Sequence, residues 1–309
     1  MTTPPPFGDR IKCLFEPAYL HLWAMSSYIR VCKETIFTKG DILAPLLQVQ
    51  RLRDEAFGRF WVEFSTPPPG AVAPPPTDET GGTFTPGGNV NGSSDLIPPI
   101  LRTASGIVLD IGPGTGTQMP LLRSPAIKVI YGPEPCQGLH EKLQAKVNSE
   151  GLSSKYHILP CGAASSELLP ALRETGTGVV DQHDRDGTGI FDTIICVRVL
   201  CSVPEMERTV EELYALLRPG GKLLITEHVV NPWRTAKGSL LGRVAQGIYQ
   251  TFGWSFFVGD CALNRDIESA LLRAAKKDGG WEVVDLEKNF TWSVMPYISG
   301  TLVKRSEKP

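Results

Sequence analysis

Short apolar runs alternate with amphipathic segments along the chain from residue 100 onward. The runs predict strands at 106–111, 128–131, 156–159, 191–196 and 222–226, with closing strands at 281–286 and 298–304. Apolar residues at three- and four-residue steps predict helices at 137–147, 205–217, 238–258 and 266–277, and the polar segment 174–189 is predicted as a loop. Strands that alternate with helices predict an α/β fold, a doubly wound and mostly parallel sheet with helices on both faces.

The first 65 residues have a different pattern, which predicts a helical extension before that sheet. Apolar and aromatic positions recur at helical spacing in 14–29 and again in 42–64. Three interpretations remain open: helices that only pack on the core, a lid over a small-molecule site, and a surface for membrane contact. We favour the lid over plain packing, and both over membrane contact.

Residues 66–99 separate this extension from the alternating region. The stretch TPPPGAVAPPPTDETGGTFTPGGNVNGSSD consists mostly of proline, glycine, threonine and serine, so it lacks the apolar side chains that form a core. It is predicted to be a flexible linker without chemistry. The predicted organisation is therefore a helical lid at 1–65, a linker at 66–99 and a ligand-binding domain at 100–309.

Composition and charge narrow the class of protein. The chain has 309 residues, 41% of them hydrophobic and 21% charged, with a formal net charge of −2, as in ordinary globular proteins. Because no basic patch or run of about 18–20 apolar residues stands out, we predict no nucleic-acid partner and no membrane-spanning segment. The N-terminus has no leader pattern, so a cytoplasmic location is expected.

The cysteine pattern favours buried, reduced thiols. The seven cysteines include no pair at CxxC spacing, and several lie in apolar runs such as IICVRVLCSV. Histidines, cysteines and acids likewise show no metal-ligand spacing along the sequence. We therefore predict that the protein needs no metal.

A glycine-rich loop follows the first predicted strand and carries the strongest chemical signal. Asp110 precedes Gly112, Gly114 and Gly116, and a helix is predicted next. Glycines allow a tight turn and close approach of a ligand, and free N–H groups at a helix start attract an anion. Glu134, after the second strand, has the spacing expected of an acid that accepts hydrogen bonds from ribose hydroxyls.

Two nucleotide-type cofactors compete for this loop, a dinucleotide and S-adenosylmethionine. The dinucleotide fingerprint G-x-G-x-x-G requires a third glycine where this chain has Thr117. The spacing and the preceding acid favour S-adenosylmethionine. Its predicted contacts are Asp110, Gly112, Gly114, Thr115, Gly116, Gln118, Glu134, Gly162, Ala163 and Val197. No acid follows the third strand, so adenine is expected to meet only backbone groups and packing near Gly162 and Ala163.

Three further segments carry a resemblance to a known family. They are IICVRVLCSVPEMERTVEELYALLRPGGKLLITEHV at 194–229, FFVGDCALNRDIESALLRAA at 256–275 and WSVMPYISGTLVK at 292–304. The chain resembles class I S-adenosylmethionine-dependent methyltransferases, in particular the methyltransferase-like subgroup of alkyl-thiol S-methyltransferases of animal endoplasmic reticulum and related fungal biosynthetic enzymes. The resemblance implies a Rossmann-like sheet with one antiparallel strand, S-adenosylmethionine as methyl donor and a small-molecule acceptor.

The chain departs from the alkyl-thiol subgroup at two places. Its N-terminal helices carry charges where the subgroup has a hydrophobic membrane segment, and 258–263 reads VGDCAL without the second glycine of the subgroup. The departures speak against membrane anchoring and thiol preference, and the resemblance to fungal biosynthetic enzymes that methylate oxygen implies O-methylation in a secondary-metabolite pathway. Thiol S-methylation is the alternative, and peripheral contact with the endoplasmic reticulum stays open.

The candidate catalytic residues are His228 and Asp260. His228 ends the fifth strand beside the expected acceptor pocket, and an imidazole can take the proton of a hydroxyl acceptor near neutral pH; a structural histidine is the competing interpretation. Asp260 could orient the acceptor, orient His228 or cap the helix at 266–277, and we favour the cap. Arg198, Ser202, Trp254, Phe256 and Phe257 are candidate lining residues.

Two other classes of protein fit part of the pattern. An NAD(P)-dependent oxidoreductase would use the same strand–loop–helix unit, and a catalytically silent S-adenosylmethionine-binding protein would keep the loop without turnover. Thr117 speaks against the oxidoreductase. The sequence does not predict an oligomeric state.

Overall fold

Seven strands form one sheet in the order β3-β2-β1-β4-β5-β7-β6 in the computed structural model, which describes residues 6–66, 90 and 92–306. Strands β1 to β5 pair in parallel, whereas β7 is antiparallel to both β5 and β6. This topology confirms the predicted fold class. The strands are β1 (Gly106–Ile111), β2 (Ile127–Pro133), β3 (Tyr156–Leu159), β4 (Phe191–Val197), β5 (Leu217–His228), β6 (Val283–Asn289) and β7 (Tyr297–Val303).

Helices cover both faces of the sheet and its carboxyl-terminal edge. They are α1 (Phe7–Cys13), α2 (Glu16–Lys33), α3 (Ala44–Leu47), α4 (Val49–Ser65), α5 (Pro98–Leu101), α6 (Gln137–Ser149), α7 (Ser165–Glu174), α8 (Asp181–Asp186), α9 (Met206–Leu216), α10 (Leu240–Thr251), α11 (Trp254–Phe257) and α12 (Ile267–Ala274). Short 3-10 helices span Ser93–Leu96, Met119–Leu122 and Lys276–Asp278, and a π-helical turn spans Glu34–Thr38.

The core has two layers because successive side chains of each strand point to opposite faces. In β1, Leu109 faces the layer that contains Leu213 of α9 and Leu271 of α12, and Val108 faces the layer that contains Leu143 of α6. All of these side chains are fully buried or nearly so. Burial on both faces explains why the strands read as continuous apolar runs.

The predicted N-terminal helical extension is present and lies over the carboxyl edge of the sheet. Helices α2 and α4 pack on each other, and Ala24 and Phe60 join a cluster with Cys201, Trp254 and Cys261. Much of the outer surface of these helices stays apolar, since Phe15, Tyr19, Leu46 and Leu47 are all more than two-thirds exposed. The extension therefore has one face on the core and one apolar face toward solvent.

Three segments differ from the sequence prediction. The helix predicted after the glycine loop is only the 3-10 turn Met119–Leu122. The predicted loop 174–189 contains α8. Most of the predicted linker 66–99 lies outside the described residues, but its end is packed: Leu96 and Ile97 are buried.

The apolar outer face of the N-terminal helices does not by itself imply a helix that crosses a membrane. In the part of the chain from 6 to 66 and from 92 to 306, no helix combines the length and the apolar character needed to cross a bilayer.

Candidate active site

The glycine loop after β1 has the backbone that its sequence predicts. Gly112, Gly114 and Gly116 have φ values of +58°, +61° and +77°, a region that L side chains rarely adopt. A Cβ on Gly112 would lie 2.6 Å from Cγ2 of Val199, and one on Gly114 would lie 2.8 Å from Nε1 of Trp61. The loop therefore needs glycine both for its conformation and for the closeness of its neighbours.

Glu134 lies directly against this loop. Its Oε2 accepts a hydrogen bond from the N–H of Gly114 at 2.9 Å, and its Oε1 accepts one from the N–H of Cys136 at 2.9 Å. The carboxylate is 5% exposed, and burial raises its pKa. The acid and the glycine loop therefore lie together, as the sequence spacing predicted, and two backbone N–H groups hold the carboxylate.

Asp110 is a buried acid at the base of the same loop. Its Oδ2 accepts a hydrogen bond from the Tyr156 hydroxyl at 2.9 Å. Burial raises its pKa from the ordinary value of 3.8 to about 6, although the Tyr156 hydrogen bond opposes the change. Asp110 therefore belongs to the support of the loop, where Tyr156 of β3 fixes its position.

Helix α4 forms a roof over the loop. The Thr115 hydroxyl donates to Oγ of Ser65 at 2.8 Å, and Trp61 lies over Gly114. Phe57 lies equally close to Gly259, since a Cβ on Gly259 would be 2.5 Å from the Phe57 ring. Helix α4 therefore contacts both segments, and the lid role of the N-terminal helices stays a prediction.

The carboxyl ends of β4 and β5 are joined by Glu227, whose importance the sequence did not reveal. Its Oε1 accepts hydrogen bonds from the N–H groups of Val199 and Leu200, at 2.8 and 3.0 Å. The side chain is fully buried, and burial raises its pKa to about 7. Glu227 therefore fixes the loop that follows β4.

Arg198 begins that loop in a strained conformation. Its φ is +56°, and its guanidinium donates to Oγ of Ser93 and Ser94 at 2.7 and 3.0 Å. Non-glycine residues adopt this φ at a cost, and such strain is concentrated at functional sites. The two serines belong to the predicted linker, so the end of that segment contacts the loop after β4.

His228 lies in a buried cluster with two thiols. Its Nε2 is 3.2 Å from Sγ of Cys261, and Trp254 Nε1 donates to the same sulfur at 3.3 Å. Cys201 completes the cluster, with its sulfur and the other two ligand atoms all within 4.8 Å of one another. Sequence spacing missed this group because its members come from the loop after β4, the end of β5 and the segment after α11.

Asp260 is positioned differently from the sequence prediction. Its carboxylate pairs with Arg53 of α4 at 2.5 Å and is half exposed, whereas the thiol of the next residue, Cys261, points inward. The cap predicted for it belongs to Asp266, whose side chain accepts from the N–H of Ser269. Asp260 does not cap α12, because the helix begins one residue after Asp266.

The remaining predicted cofactor contacts surround the same edge of the sheet. Val197 ends β4, Gln118 precedes the 3-10 turn, and Ala163 is buried after β3. The N–H of Gly162 donates to Oε2 of Glu167 at 2.8 Å, so this donor is already used within the protein. Contact of these four residues with the cofactor stays a prediction.

Three features together define a class I S-adenosylmethionine-dependent methyltransferase. They are a buried acid at the position expected to bind ribose hydroxyls, a glycine-rich loop after the first strand, and the strand order 3-2-1-4-5-7-6. A family model described as a methyltransferase domain matches residues 92–281. The chain therefore belongs to this methyltransferase family, whose methyl donor is S-adenosylmethionine. Gly112, Gly114, Gly116 and Glu134 are the residues that fit the donor best.

Several known proteins are similar to parts of the chain. Thiol S-methyltransferase TMT1A of Homo sapiens is 32% identical over 117 residues, 38% of this chain and 45% of that protein. Thiol S-methyltransferase TMT1B of Mus musculus is 32% identical over 118 residues, which are 37% of this chain and 44% of that protein. The chain thus spans less than half the length of these relatives.

One relative and one solved structure match more of the chain. Phosphatidylethanolamine N-methyltransferase of Cereibacter sphaeroides is 27% identical over 164 residues, 50% of this chain and 69% of that protein. An O-methyltransferase family protein from Burkholderia thailandensis is 12% identical, with a TM-score of 0.46 over 96% of this chain and 72% of that chain.

Replacement of Gly114 by alanine tests the glycine cradle. Gly114 has a φ of +61°, and an added Cβ would clash with Trp61. We therefore expect Gly114→Ala to weaken binding of S-adenosylhomocysteine about tenfold or more. Titration calorimetry measures the affinity. Gly151→Ala is the matched control, since Gly151 has φ of +69° with open space around it. Equal losses in both variants would contradict a cofactor role for this loop.

The raised pKa of Asp110 predicts a pH-dependent stability. The folded protein holds this proton up to about pH 6, whereas the unfolded chain releases it near 3.8. Its contribution to stability is therefore complete below pH 3.8 and is lost as pH rises through 6, a change of roughly 3 kcal/mol. Urea titrations from pH 4 to 7 should show a slope that is shallower by this amount in Asp110→Asn than in the wild type. The slope that remains includes the contribution of Glu227, whose pKa is raised to about 7.

The control for this measurement is Asp285→Asn, at an exposed position on β6. It should keep the slope of the wild type. A parallel pH profile for Asp110→Asn and the wild type would show that Asp110 ionises normally in the folded protein.

Proposed function

We propose that this protein transfers a methyl group from S-adenosylmethionine to the thiol of a small molecule. The observation that carries the proposal is a set of buried polar atoms beside the cofactor loop. Arg198 Nε, Glu227 Oε2 and His228 Nδ1 have no hydrogen-bond partner within residues 6–66 and 92–306. Unpaired buried polar groups are costly, so their concentration at the ends of β4 and β5 favours a ligand that pairs with them.

Three arguments favour sulfur as the acceptor atom. The two most similar relatives described above are named thiol S-methyltransferases. Nε2 of His228 is already in contact with Cys261, so this ring nitrogen is not free to act as a base. A thiol needs little help to become a nucleophile near neutral pH, in contrast to a hydroxyl.

Methylation of a hydroxyl, as in a secondary-metabolite pathway, is the second candidate. It is supported by His228 Nδ1, which is buried and has no partner within the described residues. A hydroxyl acceptor placed against this atom would pass its proton to the imidazole as the methyl group is transferred. This role requires His228 to be neutral and free at Nδ1.

In either case the protein acts mainly by alignment. The sulfonium methyl of the donor and the acceptor atom react in line, and the enzyme lowers the barrier by holding them in that geometry. The glycine loop and Glu134 would hold the donor, while the residues after β4 and β5 would hold the acceptor. The roof of α4 would exclude water from the methyl group.

A panel of acceptors separates the two candidates. With labelled S-adenosylmethionine, we expect kcat/KM for an alkyl thiol to exceed that for a phenol or carboxylic acid of similar size by about a hundredfold, roughly 3 kcal/mol in transition-state stabilisation. The measurement is label transfer to each acceptor. A higher kcat/KM for the phenol, reduced by His228→Ala, would favour oxygen and contradict the thiol proposal.

One variant tests donor binding, and thermal stabilisation by cofactors tests the other classes of protein. Gly114→Ala should lower label transfer to every acceptor, since it acts on donor binding. Thermal stabilisation by NAD and not by S-adenosylhomocysteine would favour an oxidoreductase. Stabilisation by S-adenosylhomocysteine without label transfer to any acceptor would leave a silent binding protein.

A second exposed apolar surface, on α10, supports peripheral contact with a membrane. Leu240, Leu241, Val244 and Ile248 lie at helical spacing along α10 and Phe252 is its C-cap residue, each more than half exposed. Before this stripe, Arg234 stacks on Trp233 with 4.8 Å from the guanidinium carbon to the ring. An apolar stripe with an adjacent cation and tryptophan suits the surface of a membrane with anionic lipids.

Charges on the stripe should abolish this contact. We expect Leu241→Glu combined with Val244→Glu to reduce sedimentation with phosphatidylserine-containing vesicles about tenfold, because both carboxylates would enter the apolar layer. The matched control is Val283→Glu with Val284→Glu, two half-exposed positions on β6. Unchanged sedimentation of the α10 variant would exclude this stripe as the contact surface.

A further inference from the structure

We propose that Cys201, His228 and Cys261 bind a zinc ion that holds the acceptor thiol as a thiolate. The inference rests on the proposed thiol acceptor for its chemistry, but metal binding at these three residues is testable by itself. It departs from the sequence prediction of no metal, which considered only ligands close together in the sequence.

The spacing of the three ligand atoms suits a tetrahedral ion. Zinc binds sulfur at about 2.3 Å and imidazole nitrogen at about 2.0–2.1 Å, so its ligand atoms lie roughly 3.5–3.8 Å apart. Here Nε2 of His228 is 3.2 Å from Sγ of Cys261, and all three ligand atoms lie within 4.8 Å of one another. An ion between them requires His228 and Cys261 to separate by a few tenths of an ångström and any pair near the 4.8 Å limit to approach by about 1 Å.

The surroundings of the cluster are compatible with a thiophilic cation held by two thiolates. Cys201, His228 and Cys261 are each less than 10% exposed, and they lie among apolar residues such as Val258 and Leu263. The indole N–H of Trp254 donates to Sγ of Cys261 at 3.3 Å, as a donor does beside a ligating thiolate. Two thiolates would neutralise the charge of the ion in this apolar environment.

Three protein ligands leave one position of the tetrahedron open. In zinc sites that act on substrates, the fourth position takes water or the substrate, whereas structural sites use four protein ligands. The loop of Cys201 begins at Arg198, directly after β4, and His228 ends the adjacent strand β5. The open position would therefore lie at the edge of the sheet to which the proposed function assigns the acceptor.

The chemistry of the step is balanced without a further reactant. When the acceptor thiol binds the ion, its S–H bond breaks and the proton passes to solvent, so that a metal-bound thiolate remains at neutral pH. A sulfur lone pair then forms the new S–CH₃ bond while the bond from the methyl carbon to the sulfonium breaks. The products are a neutral thioether and neutral S-adenosylhomocysteine, and the thioether, a weak ligand, leaves the ion.

Metal content is the first test. The full chain, without a histidine tag and purified under reducing conditions, should contain about one zinc ion by mass spectrometry of the metal, or take up one from added zinc. Cys201→Ala and Cys261→Ala should lose it. Cys196→Ala is the matched control, since Cys196 is an equally buried thiol in β4 outside the cluster.

Cobalt(II) substitution gives a second test that does not depend on how well the alanine variants fold. The wild-type protein should show the visible bands of tetrahedral cobalt and the ultraviolet charge-transfer bands of sulfur ligation. Addition of an alkyl thiol should increase the charge-transfer intensity, since a third sulfur joins the ion. Cys261→Asp, which keeps a ligand, should retain cobalt with weaker sulfur bands.

The outcomes distinguish this inference from the proposed function. Zinc bound at the cluster without turnover of any thiol would support the site and contradict the thiol proposal. Thiol turnover by zinc-free protein, unchanged after chelation, would overturn the zinc site and leave the thiol proposal standing. A Cys201–Cys261 disulfide, or a chain that takes up neither zinc nor cobalt, would also overturn it.

Discussion

One carboxylate organises the carboxyl edge of the sheet. Glu227, at the end of β5, accepts hydrogen bonds from two consecutive N–H groups in the loop after β4. Hydrogen bonds of backbone donors to a buried carboxylate are among the stronger contacts in proteins. Because this contact fixes the loop, Val199 lies against Gly112 on one side and Cys201 lies against His228 on the other. The glycine loop and the Cys201–His228–Cys261 cluster therefore share one support.

The N-terminal helices complete the site from above. Ser65 and Trp61 of α4 contact the glycine loop, and Arg53 of the same helix pairs with Asp260. The helix thus touches both the donor side and the segment that supplies Cys261. If the acceptor binds beside Cys261, as proposed, this helix would cover it.

The sequence predicted those parts of the molecule that depend on local patterns. The strands are buried on both faces and therefore read as apolar runs, and Glu134 lies close to Gly114 because adjacent parallel strands bring their ends together. The cluster of Cys201, His228 and Cys261 was not predictable, since 33 residues separate its two bonded members and no spacing rule covers that distance. The sequence indicated Asp260, but the side chain that points inward is that of the next residue, Cys261. Asp260 has a positive φ of +59°, which the sequence pattern does not reveal.

The unpaired atoms of the site have an energetic consequence. Arg198 is held at a positive φ, and Nε of Arg198, Oε2 of Glu227 and Nδ1 of His228 are buried without partners within the described residues. Each such group costs roughly 1–3 kcal/mol, a large amount compared with the roughly 5–15 kcal/mol that stabilise a typical domain. The rest of the fold offsets this cost, for example through Gln246, whose fully buried amide makes four hydrogen bonds with backbone groups. A ligand that pairs with these atoms recovers part of the cost on binding, so the same unpaired atoms lower the stability of the ligand-free protein and raise its affinity for such a ligand.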